Sequence, residues 1–138
     1  MSFSLSSSPI DPTNFRRALA IPAAGGVVFF EGWIRNHNEG QTVVGMTYEA
    51  YDALAIKEGE RILAEAAERW PVLRSRVVHR VGTLCVGDMA VWVGVACAHR
   101  RDAFEACQYI IDELKLRVPI WKKEAYPTGE SSWLKGAG

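Results

Sequence analysis

The stretch 115–124, Lys-Leu-Arg-Val-Pro-Ile-Trp-Lys-Lys-Glu, places Lys115, Arg117, Lys122 and Lys123 close together with no acid before Glu124. Cations gathered in this way suit the binding and polarisation of a small anion. Pro119 divides a helical pattern from a strand-like one, so Lys115 falls in a last helical turn, four residues after Ile111, and borders the apolar stripe. Strand alternation then puts Lys122 on one face with Ile120 and Glu124, and Lys123 on the other with Trp121. One lysine of the pair can therefore point inward. An ordinary solvated basic turn is the competing reading.

A second candidate is His99-Arg100-Arg101 at a strand-to-helix junction, where backbone N–H groups of a helix N-terminus would meet two guanidinium groups. That combination suits a phosphate, and arginines merely paired with surface carboxylates suit it as well. His37, His79 and His99 are scattered and read as surface or satisfied core residues. There is no phosphate-binding glycine loop, no nucleophile turn and no paired histidine on a helix. Cys85, Cys97 and Cys107 form no Cys-x-x-Cys pair and have no histidine at metal-ligand spacing. They read as small apolar core residues kept reduced, with a reactive thiol as the weaker alternative.

The elements that must position these groups come from a chain of 138 residues with 49% hydrophobic residues and 16 basic against 16 acidic side chains. That length supports one domain with a core of its own. Zero net charge argues against a dedicated nucleic-acid coat, and Trp92 and Phe104 sit at core spacing rather than interleaved with exposed cations. The charge is nonetheless segregated. Residues 31–68 are acidic, whereas 69–101 carry Arg69, Arg74, Arg76, Arg80, Arg100 and Arg101 against Asp88 alone. No segment approaches the roughly 18 apolar residues of a membrane span, and the N-terminus lacks the basic start and apolar centre of a secretory signal. A cytoplasmic protein is expected.

Serine-rich residues 1–8 read as a frayed tail, so the expected division is a flexible segment 1–10, one domain over 11–134 and a short tail 135–138. Asp11-Pro12 predicts a short helix near 12–19. Residues 27–34 predict a strand, 36–40 a polar surface turn, and 42–49 a second strand. From 50 to 70 the apolar spacing is helical, with Gly59 a weak point. Residues 75–84 and 89–98 predict an antiparallel hairpin turning through 85–88, its second strand apolar enough to be central. Ala103, Phe104, Cys107, Ile110, Ile111 and Leu114 draw one helical stripe, and 120–124 is a final strand. The sum is an α+β fold with a largely antiparallel sheet.

Several segments in order resemble one known family. They are 30–40 (FEGWIRNHNEG), Tyr48-Glu-Ala-Tyr51, His79-Arg-Val-Gly82 with Leu84 and Val86-Gly-Asp88, His99-Arg100 with Ala103-Phe104, Ile111-Asp-Glu-Leu-Lys115, and Val118-Pro-Ile-Trp-Lys-Lys-Glu124 ahead of Gly129 and Trp133. Over roughly 20–134 the chain is similar to the large catalytic subunit of molybdopterin synthase. It departs in Asp88, where glutamate is common, in Trp33-Ile34, where a smaller pair is commoner, and in its short C-terminal tail.

The resemblance implies an α/β-hammerhead fold, and a homodimer within a heterotetramer that carries a small ubiquitin-like subunit at each end. It implies transfer of sulfur from that subunit's C-terminal thiocarboxylate to cyclic pyranopterin monophosphate, giving the dithiolene of molybdopterin, with no resident cofactor or metal. It implies Lys115 and Lys122 as catalytic residues. Trp33, Ile34 and Arg35 would contact substrate, His99 and Arg100 would reach it across the dimer, and Lys123 and Glu124 would adjoin the same pocket. Such chemistry needs no internal thiol, because the sulfur arrives already activated. A non-enzymatic module gripping an acidic tail through the 115–123 turn is the alternative, and a persulfide-forming sulfurtransferase would need an exposed, essential cysteine.

Overall fold

The computed structural model describes residues 1–135. Two four-stranded sheets and three helices make up an α+β body. In chain order the elements are β1 (Ser2–Ser6), α1 (Thr13–Leu19), β2 (Gly26–Trp33), β3 (His37–Asn38), β4 (Gln41–Thr42), β5 (Gly45–Ala50), α2 (Asp52–Arg69), β6 (Val72–Arg80), β7 (Gly82–Cys85), β8 (Met89–Cys97), α3 (Arg100–Arg117), β9 (Ile120–Ala125) and β10 (Ser131–Lys135).

The first sheet runs β1-β6-β8-β2, antiparallel except where β1 joins β6. Its apolar β8 is central, as its composition predicts. Val91, Val93, Val95 and Cys97 face the core shared with α2 and α3, while Trp92 and Ala96 face Leu19 of α1. A strand covered on both faces has no side to leave polar. Asp11 accepts hydrogen bonds from both the backbone N–H and the hydroxyl of Thr13, and α1 starts at Thr13 with Pro12, rather than Asp11, at its N-cap.

The second sheet runs β10-β9-β5-β7, all antiparallel. It departs from expectation in two ways. Residues 75–84 do not continue as one hairpin strand. Gly82, at φ 95°, turns the chain after β6, so that β7 leaves the first sheet and pairs with β5 in the second. The strand expected over 42–49 begins at Gly45 instead, and residues 37–42 form the small β3–β4 ribbon.

The frayed tail is also corrected. Residues 2–6 pair with Arg76–Arg80, and Phe3 is buried against α2. Gly59 makes this possible, since a methyl group there would run into the Phe3 ring. The glycine read as a weak point in α2 is thus a seat for the N-terminal strand. Strand β10 was not anticipated, and of the tail assigned to 135–138, residues 136–138 lie outside the described residues. Two core assignments also change: Phe104 is 61% exposed, and Cys85 is exposed on β7 while Leu84 beside it points inward.

Candidate functional site

Helix α3 ends at Arg117 because Pro119 cannot extend it. The Val118 N–H still closes on the Leu114 carbonyl, and this places Lys115 in the last full turn. Strand β9 follows at once. Its pairing with β5 sets Lys122 opposite Tyr48 and Glu124 opposite Met46. The alternation read from sequence holds: Lys122 and Glu124 line a cavity with Lys115, whereas Lys123 points to the other face and lies 5.4 Å from the centre of the Trp133 ring.

Arg35 reaches the same cavity from the end of β2. The preceding Ile34 is buried and pinned from both sides, its N–H donating to the Asp88 carbonyl at 2.9 Å and its carbonyl accepting from Gly87 at 2.7 Å. Trp33 and Ile34 line the wall beside it, and Asn38 projects from the β3–β4 ribbon. The cavity has a volume of about 210 Å³.

Arg35, Lys115 and Lys122 form no ion pair among the described residues. The one carboxylate among the described residues of the cavity wall, Glu124, is 3% exposed and faces neutral donors: Asn38 Nδ2 at 2.9 Å and the Tyr126 hydroxyl at 3.0 Å. Burial lowers the Lys122 amine below the ordinary lysine value; Glu124 opposes this, and Lys115 and Arg35 add to it. Beneath Lys122, the Tyr48 phenol is pushed up to about 12 by burial and by Glu124. His79 meets Tyr48 edge-on at 5.0 Å and donates from Nδ1 to the Arg80 carbonyl at 2.7 Å. Burial takes its imidazole down to about 4, and Lys122 pushes the same way. The floor is therefore neutral near pH 7, and the wall is cationic.

Chemically, such a cavity can hold an anion and stabilise negative charge that develops on oxygen or sulfur. Among the described residues no group of His, Cys, Asp and Glu could hold a metal. His99 and Arg100 are not in this cavity. They are exposed at the opposite end of α3, about 22 Å along the axis from Lys115 at 1.5 Å per residue. The residues that sequence reasoning missed are Tyr48, His79, Asn38, Met46 and Tyr126. Tyr48 and His79 lie in the recognised segments, but the pairing that brings them under Lys122 joins strands far apart in the chain.

Beside the cavity, and sharing Lys115 with it, runs an apolar groove of about 410 Å³ between β2 and α3, lined by Phe29, Phe30, Phe104 and Ile111 among others. Fold and cavity together define a small α+β protein with a cavity on which Arg35, Lys115 and Lys122 converge. The family model described as MoaE protein matches residues 5–117, and the chain belongs to that family. The molybdopterin synthase catalytic subunit of Pyrococcus abyssi is 46% identical over 126 residues, which span 89% of this chain and 84% of that protein. The subunit of the same name from Escherichia coli K12 is 50% identical over 106 residues, 77% of this chain and 71% of the relative. Among solved structures, molybdopterin synthase from Staphylococcus aureus superposes with a TM-score of 0.91 at 36% identity, covering 96% of each chain. A complex of subunits 1 and 2 of the molybdopterin-converting factor from Helicobacter pylori shares the fold, with a TM-score of 0.79 at 18% identity over 96% of this chain and 90% of that one.

Proposed function

We propose that this chain is the catalytic subunit of a molybdopterin synthase, moving sulfur from the C-terminal thiocarboxylate of a small ubiquitin-like subunit to cyclic pyranopterin monophosphate. The observation that carries the reading is the meeting of Arg35, Lys115 and Lys122 on one small cavity whose single carboxylate is turned to neutral donors. Both reactants are anions. A thiocarboxylate entering this cavity meets cations that are not already spent on ion pairs. The thiocarboxylate sulfur bonds to a side-chain carbon of the pterin as a carbon–oxygen bond there breaks and that oxygen leaves with the electron pair. Water then adds to the acyl carbon of the resulting thioester, the acyl–sulfur bond breaks, sulfur stays with the pterin as a thiolate, and the small subunit leaves as an ordinary carboxylate. The oxyanion formed on the way is stabilised by Lys115 and Lys122. Lys122, half-buried and with its amine lowered, is the better placed of the two to give up and regain a proton.

The proposed assembly is a homodimer within a heterotetramer. Exposed Phe29 and Phe104 beside the unpaired edge of β2 suit a second copy of the chain, which would bring its His99 and Arg100 toward this cavity as anion contacts. Lys123 and Trp133, on the outer face, belong to the rim rather than the cavity. No helix among the described residues is long and apolar enough to cross a membrane, and a cytoplasmic setting is proposed on chemical grounds. The test is direct: mix the chain with a thiocarboxylated small subunit and cyclic pyranopterin monophosphate, and assay for dithiolene. Product formation is expected. Tight binding without product would leave a non-enzymatic docking module instead.

A further inference from the structure

Glu124 sits on β9 two residues from Lys122 and on the same face, a separation of about 6.5 to 7 Å along the strand that flexible side chains can close. Yet the two form no ion pair. Both Glu124 oxygens are engaged elsewhere: Oε2 accepts from Asn38 Nδ2 and Oε1 from the Tyr126 hydroxyl. Asn38 is itself oriented, because its Oδ1 accepts from Arg35 Nη2 at 3.3 Å. A guanidinium only donates and a carboxylate only accepts, so the amide between them has one workable orientation. Tyr126 is held in turn by the β9–β10 connection, its N–H donating to the Glu130 carbonyl and its own carbonyl accepting from Gly129.

We propose that Asn38 and Tyr126 are positioning residues that hold the Glu124 carboxylate off Lys122, so that the cations of the cavity stay open to an anionic ligand. A carboxylate this buried does not remain without donors. When Asn38 and Tyr126 are removed, the nearest replacement is the Lys122 ammonium, and the resulting internal pair competes with substrate. Asn38 performs a second task with the same amide. It ties Arg35, at the end of β2, to the wall formed by β9, so that the two sides of the cavity keep their spacing. The inference deepens the anion-transfer reading and depends on it only for the activity measurement.

The test uses the assembled complex with Asn38→Ala/Tyr126→Phe, and the same pair carrying Glu124→Gln. The double variant is expected to raise the KM for cyclic pyranopterin monophosphate about tenfold, with a smaller fall in kcat, as for loss of a charge-assisted contact. Adding Glu124→Gln is expected to recover most of that KM, which a merely structural defect would not allow. A crystal structure of the double variant is expected to show Glu124 paired directly with Lys122. Failure of Glu124→Gln to recover KM, or a Glu124 still turned away from Lys122 in that crystal, overturns the inference. Absence of product with the wild-type complex would instead overturn the functional reading and leave the crystal to decide this one.

Discussion

Lys115 and Arg117 stand two residues apart in the last turn of α3 and face opposite ways. Arg117 turns to α2 and is saturated. Its guanidinium meets Glu65 at 2.6 Å, Glu58 at 2.7 Å and Glu113 at 3.2 Å, and Glu65 also accepts from the Tyr109 hydroxyl at 2.7 Å. Those contacts hold the Glu65 carboxyl down to about 2 and raise the Arg117 guanidinium further above its ordinary range. Lys115 turns instead to a cavity where Arg35 and Lys122 are its charged neighbours of like sign. In sequence the two residues belong to one basic cluster. In the fold one fastens two helices and the other lines a cavity with no ion pair among the described residues, so what separates the two charges is the count of partners rather than the local density of cations.

The same accounting explains much of the basic block at 69–101. Arg76 donates to the Ser2 carbonyl and the Ser4 hydroxyl, and Arg74 donates to the Ala18 carbonyl at 2.6 Å. These arginines hold the N-terminal strand and α1 in place.

The contrast can be broken most sharply at the cavity. Lys122→Ala or Lys115→Ala should cut dithiolene formation by at least about 100-fold, the usual loss when a group that stabilises a developing anion is removed. The melting temperature should stay within a few degrees of wild type. Arg117→Ala should do the reverse, costing about 1 to 2 kcal/mol in chemical denaturation because three carboxylates lose their common partner at a part-exposed site. Activity per folded molecule should persist. The folded value of Glu65 lies below its ordinary one, so its contribution is present above about pH 4.5 and is lost as pH falls toward 2. Acid titration of stability should therefore be shallower in Arg117→Ala over that window.

A smaller effect sharpens the electrostatics of the cavity itself. Lys115→Met removes a like charge from Lys122, so the Lys122 amine, followed by NMR titration, should move upward toward the ordinary lysine value. An unchanged titration would mean that burial alone sets it. The smallest expected effect is none: Cys85→Ser should leave turnover at the wild-type level, because the exposed thiol lies outside the cavity. Loss of turnover there would point to a persulfide route.

Local periodicity made the two cavity lysines legible. The 3.6-residue stripe ending at Leu114 placed Lys115, and the two-residue alternation of 120–124 separated Lys122 from Lys123. What periodicity does not carry is register between distant strands. Tyr48 against Lys122, and Asn38 against Glu124, depend on how β5 and the β3–β4 ribbon meet β9, and no spacing within one segment records that. The N-terminal strand had a signal that serine richness concealed: Phe3 and Leu5 alternate with Ser2, Ser4 and Ser6, and both pack against the core. The exposed Phe104 shows the opposite failure, since an apolar residue at the edge of a helical stripe looks the same whether it meets the core or a groove beside it.

The parallel pairing of β1 with β6 also dictates an order of events. Parallel partners cannot form a local hairpin, and here Phe3 must find Val77 across the whole of α1, β2 through β5 and α2. Contacts that span so much chain form late, after the loop between them has been closed by other structure. Strand β1 is therefore among the last elements to be placed. Until α2 presents Gly59 and β6 offers its edge, Ser2–Ser6 waits as an unpaired strand, and the completion of the first sheet reports that the rest of the chain has already folded.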